Sequence, residues 1–310
     1  MKHLFKDMGE KAAPKYTKGT PKCQVVFTLG PILVDRTNQS LEWIEQQNAD
    51  VKMGGYHAPA HCRPINRVAV IIPYRDRRFN LSILLRYLHP LLKKQLLEYR
   101  IFVIEQYGKD KFNKGTLYNI AFLETQRFGN WHCLIFHDVD LIPEDERISY
   151  SCPEHPTHMS PTVESSGNIA PYKSIFGGVT SLTPEQYESV NGYSNLYWDS
   201  GADNDDFHDR IQSKNYTVMR YNSSLARYYE LPHQINKIGK VRNLLVGTSK
   251  LQPEKDGLTT TMYNLISVTE VKLFTHLLAD VNPTKMKLGA KNLLQHFIRL
   301  TGNSVTYKQR

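Results

Sequence analysis

One stretch limits the folds open to this chain more than any other: Cys133-Leu-Ile-Phe-His-Asp-Val-Asp-Leu-Ile-Pro143, an apolar run that meets two aspartates one residue apart. The run is short and bounded by polar residues, and its apolar part contains neither glycine nor proline. It therefore reads as a buried strand. Asp138 and Asp140 then fall at the carboxyl end, where open α/β sheets keep their ligands. Side chains two apart on a strand share a face, so both carboxylates are expected to address one site. Such oxygen donors suit Mn²⁺ or Mg²⁺, and either ion would neutralise a diphosphate. An Asp-x-Asp triplet alone also fits a solvated turn or a helix cap, so its meaning depends on what surrounds it.

The surroundings alternate strand and helix. Arg67-Val-Ala-Val-Ile-Ile-Pro73 is rich in β-branched residues and suits a buried parallel strand. It leads into the cationic loop Pro73-Tyr-Arg-Asp-Arg-Arg78. Asn80 or Ser82 is expected to cap the next helix, with Leu81, Leu84, Leu85 and Leu88 at helical spacing. Residues 100–105 form a second strand, and Phe112-Asn-Lys114 opens a helix carrying Leu117, Ile120 and Ala121 on one face. The Asp-x-Asp strand is the third. This order predicts an α/β fold with a mostly parallel sheet and right-handed crossovers, its post-strand loops meeting at one crevice.

Further along, Ile175-Phe-Gly-Gly-Val-Thr180 places paired glycines where a backbone turns sharply or passes close to a neighbour, or forms an ordinary bulge. Trp198-Asp-Ser-Gly-Ala-Asp-Asn-Asp-Asp206 is dense in carboxylates. Its last four residues suit the N-terminus of a helix running through Phe207 to Ile211. Tyr229-Glu-Leu-Pro-His233 sets a carboxylate and an imidazole three residues apart, which also fits an unremarkable surface pair. Residues 1–22 read as a flexible tail. Residues 23–62 read as a connecting segment of short strands or turns, with a turn at Gly54-Gly55. Residues 267–310 read as a basic tail with a helix near Lys291 to Leu300.

At 310 residues the chain is long enough for one large α/β domain or two small ones. A formal charge of +9 favours anionic partners. Lysine and arginine are scattered, with no basic arm interleaved with aromatics, which argues against nucleic acid. No apolar run approaches the ~20 residues that span a bilayer. The polar, lysine-rich start is neither a signal peptide nor an anchor, which leaves a cytosolic protein or one whose membrane attachment runs through a leader or anchor absent from this chain. The four cysteines lie outside any Cys-x-x-Cys pattern, so buried thiols and disulfides both remain open. N-glycosylation sequons begin at Asn38, Asn80, Asn215 and Asn222.

Several pieces, taken in order, resemble the β-1,4-galactosyltransferase family. They are Gly30-Pro31, Asn48-Ala-Asp-Val-Lys-Met-Gly-Gly55, Val70-Ile-Ile-Pro-Tyr-Arg75, Tyr87-Leu-His-Pro90, Phe112-Asn113, Phe136-His-Asp-Val-Asp-Leu-Ile-Pro143, Ile175-Phe-Gly-Gly-Val179 and Asn191-Gly-Tyr193. The resemblance implies a GT-A-type α/β fold over residues 23–310, with 23–150 as a nucleotide-binding half and 151–270 as an acceptor half. It implies an inverting transfer from a UDP-sugar, Mn²⁺-dependent with Mg²⁺ as the alternative. Pro73, Tyr74, Arg75, Asp76 and Arg77, with Phe112, Asn113 and Lys114, would grip uridine and diphosphate. Asp138, Val139, Asp140, Tyr172, Ile175, Gly178 and Ser200 would complete the donor site. Asp140, Glu230 and His233 would hold the metal. Ala202, Asp203, Asn204, Asp205 and Arg242 would hold the acceptor, with Asp203, Asn204 and Asp205 at the catalytic position. The cysteines would pair as Cys23–Cys62 and Cys133–Cys152. The setting would be the Golgi lumen, with a type II membrane protein as the full-length form and a GlcNAc-terminated glycan as acceptor.

Departures from the family's pattern carry their own expectations. Ile175 replaces the tyrosine of galactose-transferring members and favours UDP-GalNAc over UDP-Gal. Lys114 replaces arginine and keeps the charge without the bidentate fork. Glu230 replaces the vertebrate methionine and favours a hard cation. Ser200 replaces a tryptophan that closes over donor and acceptor. Asp199 and Ala202 replace glycines of the mobile loop. Asn204 stands where the family keeps its general base, and an amide takes no proton at neutral pH. A second expectation follows: a non-catalytic member that binds UDP-sugar or glycan, or partners an active paralogue.

Overall fold

The structure is a computed structural model, and it describes residues 16–24, 30–163, 176–199, 202–232, 255–281 and 284. Its elements in chain order begin with helix α1 (Leu41–Gln47), strands β1 (Tyr56–His57) and β2 (Arg67–Tyr74), and helix α2 (Arg78–Lys94). Strand β3 (Glu98–Gln106), helix α3 (Lys114–Thr125), and strands β4 (Cys133–His137) and β5 (Leu141–Pro143) follow. Then come β6 (Thr157–His158), β7 (Thr162–Val163), β8 (Val179–Leu182), α4 (Pro184–Ser189) and α5 (Asp203–Ser213). The described elements end with β9 (Met219–Arg220), β10 (Arg227–Glu230), β11 (Asn264–Glu270) and β12 (Thr275–Asp280).

The β-branched run of β2 is buried along nearly its whole length, as a strand covered on both faces must be. It lies parallel to β3 on one side and β4 on the other, with Ile71 beside both Phe102 and Phe136. The large sheet runs β11-β12-β3-β2-β4-β8-β6-β9, with β1 added against β3. Its centre is parallel, and β8 turns antiparallel beside β4. Side chains of β2 alternate between two cores. Val70 and Ile72 pack with Leu84, Leu85 and Leu88 of α2. Ala69 and Ile71 pack with Leu117 and Ala121 of α3 and with Phe207 and Ile211 of α5.

A second sheet, β5-β10-β7, starts where β4 ends. Asp138, Val139 and Asp140 are the turn between the two sheets, closed by a bond from the Leu141 amide to the Asp138 carbonyl at 3.4 Å. This corrects the continuous-strand reading of the aspartates. They leave the strand before diverging, so the period-two argument does not aim their carboxylates.

Three other expectations also need correction. Residues 41–47 are helical, started by Ser40 Oγ accepting from the Trp43 amide at 3.2 Å. Neither Asn80 nor Ser82 caps α2. Arg77 is its N-cap residue, without a side-chain cap bond, and Asn80 is buried inside the first turn. Residues 264–280 are a hairpin that extends the large sheet, β12 lying parallel to β3. Its partner strand lies far back in the chain, so no local pattern could announce the pairing. The helix read near Lys291 to Leu300 lies outside the described residues.

The Gly54-Gly55 turn is present, with φ of +79° and +66°. A Cβ at Gly54 would collide with the Arg100 guanidinium, and one at Gly55 with the Leu273 carbonyl. Residues 16–22, read as tail, are tied down by Tyr16, whose hydroxyl donates to the Pro59 carbonyl at 2.8 Å, and by a bridge between Lys22 and Arg63. Both disulfides form: Cys23–Cys62, and Cys133–Cys152, which ties the start of β4 to the segment before β6.

A disulfide stabilises largely by shortening the excursions of the unfolded chain, and a loop with a sequence separation of 19 gives about 3 kcal/mol. Replacing Cys133 and Cys152 together by alanine should lower Tm by several degrees relative to the oxidised parent. An unchanged Tm would mean that the sheet centre does not depend on the cross-link.

Candidate active site

Four chain segments meet at the carboxyl ends of the central strands. The first leaves β2 as Pro73 to Arg77 and turns at Asp76, whose φ is +53°. Arg75 lies over the Phe112 ring, 5.3 Å from its centroid, and donates to the Asp110 carbonyl. The second segment is therefore fixed against the first. Asn113 then caps α3: its Oδ1 accepts from the Thr116 amide at 2.9 Å and its Nδ2 donates to the Asn195 carbonyl at 2.8 Å. These bonds occupy the Asn113 side chain inside the protein. Val139 packs into the α2-side core, so of this pair of proposed donor residues neither presents a free side chain to the crevice.

Lys114, the first residue of α3, joins three segments. Its Nζ lies 3.5 Å from Asp138 Oδ2, 3.5 Å from Asp203 Oδ2 and 3.3 Å from Asn204 Oδ1. Burial alone would lower its pKa, but the carboxylates of Asp138 and Asp203 outweigh it and hold the pKa above that of an ordinary lysine. The site thus contains a permanent cation. Tyr118, one turn along α3, donates to the other oxygen of Asp138 at 3.1 Å. Asp140 turns to a different cation, accepting from Arg77 Nη1 at 2.6 Å.

Asp140 is also placed beside β10. Its carbonyl accepts from the Leu231 amide at 2.7 Å, and Glu230 stands opposite Leu141 in the antiparallel pairing. Asp140 and Glu230 therefore come from neighbouring strand ends. Two carboxylates with an imidazole would be a donor set of hard and borderline ligands that fits Mn²⁺ or Mg²⁺. His233 lies outside the described residues, as do Tyr172, Ile175, Ser200 and Arg242. Among the described residues, no group of three or more His, Cys, Asp or Glu side chains is arranged around a metal position.

The fourth segment is the start of α5. Its first turn carries Asp203, Asp205 and Asp206, which suit the positive end of the helix. They differ in use. Asp206 is fully buried and pairs with Arg210 at 2.7 Å, a structural contact. Asp203 faces Lys114. Asn204 sits over Gly177, where a Cβ would fall 2.1 Å from its Nδ2. Gly178, at φ +72°, completes the turn beneath it. The paired glycines are thus a close approach to the α5 terminus and not a bulge.

Three residues that the sequence reading passed over support this floor. His158 Nε2 lies 3.0 Å from the Gly177 carbonyl, and Ser160 Oγ donates to the same oxygen at 3.2 Å. His137 Nδ1 lies 2.8 Å from the Asp138 carbonyl, with Nε2 against the Tyr150 hydroxyl at 3.0 Å. Burial lowers the pKa of His137 to about 4 and that of His158 to about 3, so both are neutral at physiological pH. For His137, its adjacency to the Asp-x-Asp turn was a usable signal. For His158 and Ser160, no local pattern was available.

Two residues ahead of α5 are left-handed, Asp199 at φ +64° and Ala202 at φ +69°. The Asp199 amide donates to the Phe112 carbonyl at 2.7 Å and its carboxylate pairs with Lys111 at 2.6 Å. Ala202 has no polar side chain with which to offset the conformation, and a left-handed residue with a Cβ costs about 1–2 kcal/mol. It is also the N-cap of α5, where alanine is a poor choice and glycine a tolerated one. Ala202→Gly should therefore raise stability by about 1 kcal/mol, read from the urea midpoint; a lower midpoint would show that the left-handed geometry carries no strain here.

Known proteins resemble this chain in sequence and in fold. Residues 22–153 match a family model described as the N-terminal region of glycosyl transferase group 7, and residues 157–234 match one described as an N-terminal domain of galactosyltransferase. Beta-1,4-galactosyltransferase 4 of Cricetulus griseus is 38% identical over 252 residues, covering 80% of this chain and 73% of that one. Beta-1,4-galactosyltransferase 2 of Homo sapiens is 36% identical over 258 residues, covering 82% and 69%. Among solved structures, a mutant of Drosophila β-1,4-galactosyltransferase 7 in complex with manganese, UDP-Gal and xylobiose superposes with a TM-score of 0.61 at 24% identity, covering 72% of this chain and 98% of that one. The fold is the mixed α/β fold of these enzymes, and the chain belongs to the β-1,4-galactosyltransferase family.

Proposed function

We propose that this chain binds a UDP-sugar with a divalent cation and transfers GalNAc or Gal, with inversion, to the 4-hydroxyl of a terminal GlcNAc-type glycan in the Golgi lumen. The observation that carries the reading is the meeting of cations and carboxylates from four segments, Arg77 on Asp140 and Lys114 on Asp138 and Asp203. In this reading Asp140, Glu230 and His233 hold Mn²⁺ or Mg²⁺, which supplies charge to the leaving diphosphate when bound. Arg75 and Phe112 form a flat wall for the uracil, and Arg77 moves its charge to the diphosphate. The acceptor oxygen forms its bond to the anomeric carbon as the bond to UDP breaks on the opposite face, and its proton passes to a carboxylate at the α5 terminus.

The identity of that carboxylate decides between transfer and mere binding. Asn204 Oδ1 accepts from Lys114, and the remaining atom of the amide, Nδ2, is only a donor. Asp203 stands beside it, with Asp205 next in sequence. This favours a second reading, UDP-sugar binding with little or no transfer. A transfer assay with Mn²⁺, UDP-Gal, UDP-GalNAc and a GlcNAc acceptor tests both. Asn204→Asp should raise the rate by about 10²-fold or more, the usual worth of a positioned base. Equal rates for parent and variant would place the proton acceptor elsewhere. In the faster protein UDP-GalNAc should be turned over in preference to UDP-Gal; the reverse preference would remove Ile175 as the selector.

Arg77 gives a test that does not depend on turnover. Its guanidinium competes with any cation for Asp140 until a diphosphate draws it away. Arg77→Ala should bind Mn²⁺ alone several-fold more tightly and UDP with Mn²⁺ at least 10-fold more weakly, by titration calorimetry. Unchanged Mn²⁺ affinity would exclude Asp140 as the shared ligand.

A further inference from the structure

Strand β9 is the last strand at one end of the large sheet, and among the described residues it pairs only with β6. Its first residue, Met219, is 45% exposed. An open strand with an exposed apolar side chain invites pairing with a second sheet. Natural proteins blunt such edges by keeping them short or with charge, proline or a cover. β9 is short, at two residues, but its charge, Arg220, is partly withdrawn from solvent and leaves Met219 as the exposed side chain of the edge.

Two sequons bracket this strand. Asn215 precedes it, exposed, in the turn that closes α5, with φ +60° and with Thr217 exposed as well. Asn222 follows it, exposed, in the turn toward β10. Asn222 Oδ1 accepts from the amide and the hydroxyl of Ser224, each at 2.9 Å, so the carboxamide and the hydroxyl of this sequon are in contact. Both turns lie at the far side of elements from the crevice: Asn215 is beyond the C-terminal end of α5, and Asn222 precedes the β10 end that carries Glu230. A bulky polar group at either position leaves the site clear.

The other two sequons differ. Asn80 is 6% exposed inside α2, and its Nδ2 reaches toward the Pro232 carbonyl. Its sequon hydroxyl, Ser82 Oγ, donates to Asn38 Oδ1 at 2.9 Å. A glycan on Asn80 would have to displace the packing of α2, so the folded protein cannot carry one. Asn38 is exposed but lies just before α1, against Ser82 of α2, and has no part in covering β9.

We propose that Asn215 and Asn222 carry N-linked glycans and that this pair covers the open β9 edge, keeping the sheet from associating through it. The modification forms an amide-linked bond from Nδ2 to the first sugar, supplied by the host's lipid-linked oligosaccharide with release of its diphosphate carrier. The proposal rests on passage through a secretory lumen, the setting of the functional reading, but not on transferase activity.

The test imposes that route. The chain is secreted from eukaryotic cells behind a cleavable signal sequence and treated with a glycan-releasing amidase in ¹⁸O water. Peptide mapping should find ¹⁸O-labelled aspartate at 215 and 222 and unlabelled asparagine at 80. Thr217→Ala with Asn222→Gln then removes both sequons while keeping asparagine in the left-handed turn. This variant should retain the parent's Tm and circular dichroism but elute as larger assemblies in size exclusion with light scattering. Adding Met219→Lys, a charged edge, should return it to the parent's mass. Unmodified Asn215 and Asn222 in secreted, disulfide-bonded protein would overturn the proposal, as would a glycan on Asn80. An aglycosyl variant with the parent's assembly state would overturn the role in covering β9. Loss of transfer activity with intact glycans would bear on the functional reading alone.

Discussion

The Lys114 ammonium is the contact on which the site's geometry depends. It is placed by the Asn113 cap at the start of α3 and reaches the β4–β5 turn through Asp138 and the α5 terminus through Asp203 and Asn204. These parts lie far apart in the chain, between residues 113 and 204. Its pKa is raised in the fold, so its stabilising charge is fully present below the ordinary lysine pKa and is lost only as pH climbs through the higher folded value. The bridge therefore holds across the whole neutral range. Losing it would leave Asp138 and Asp203 facing each other with no cation between them, which is why one side chain can tie the β4–β5 turn to the α5 terminus.

The turn that Lys114 grips is itself held from below. His137 and Tyr150 brace the Asp138 carbonyl, and Leu231 binds the carbonyl of Asp140. Asp138 and Asp140 are thus aimed by the junction of two sheets, toward Lys114 and Arg77 respectively. A rigid scaffold with short post-strand loops is what allows charges from distant parts of a chain to sit within ångströms of each other.

The parallel centre of the fold was legible because its signal is local. The β2 run, the leucines of α2 and the start of α3 each declare their own element. The acidic start of α5 was legible for the same reason. What was not legible is non-local. The β11–β12 hairpin joins a sheet whose nearest strand lies some 170 residues earlier in the chain, as the pairing of Thr275 with Phe102 shows. The aspartate turn was misread because a strand and a strand-turn-strand share the same short apolar pattern. In the site, residue types foretold the charged groups. They did not foretell that Asn113 and Val139 face inward, or that His158 and Ser160 hold the Gly177 carbonyl.

The departures around α5 form a coupled set. Asp199 and Ala202 stand in left-handed conformations that glycine would adopt freely, so each of these two residues has fewer backbone states to visit than a glycine would. Asn204 is pinned on two sides, by Lys114 and by the close floor at Gly177. A loop that must swing over a donor gains from freedom at its hinges, whereas a fixed platform gains from restraint. Each of these substitutions lowers freedom or removes basicity. Together they make this end of the crevice more rigid and less basic than glycines and an aspartate at the same positions would. The donor end keeps its cations and its aspartates. Under the proposed function, the choice between transfer and binding falls to the first turn of α5, where Asn204 takes the place between two aspartates and only a carboxylate can accept a proton.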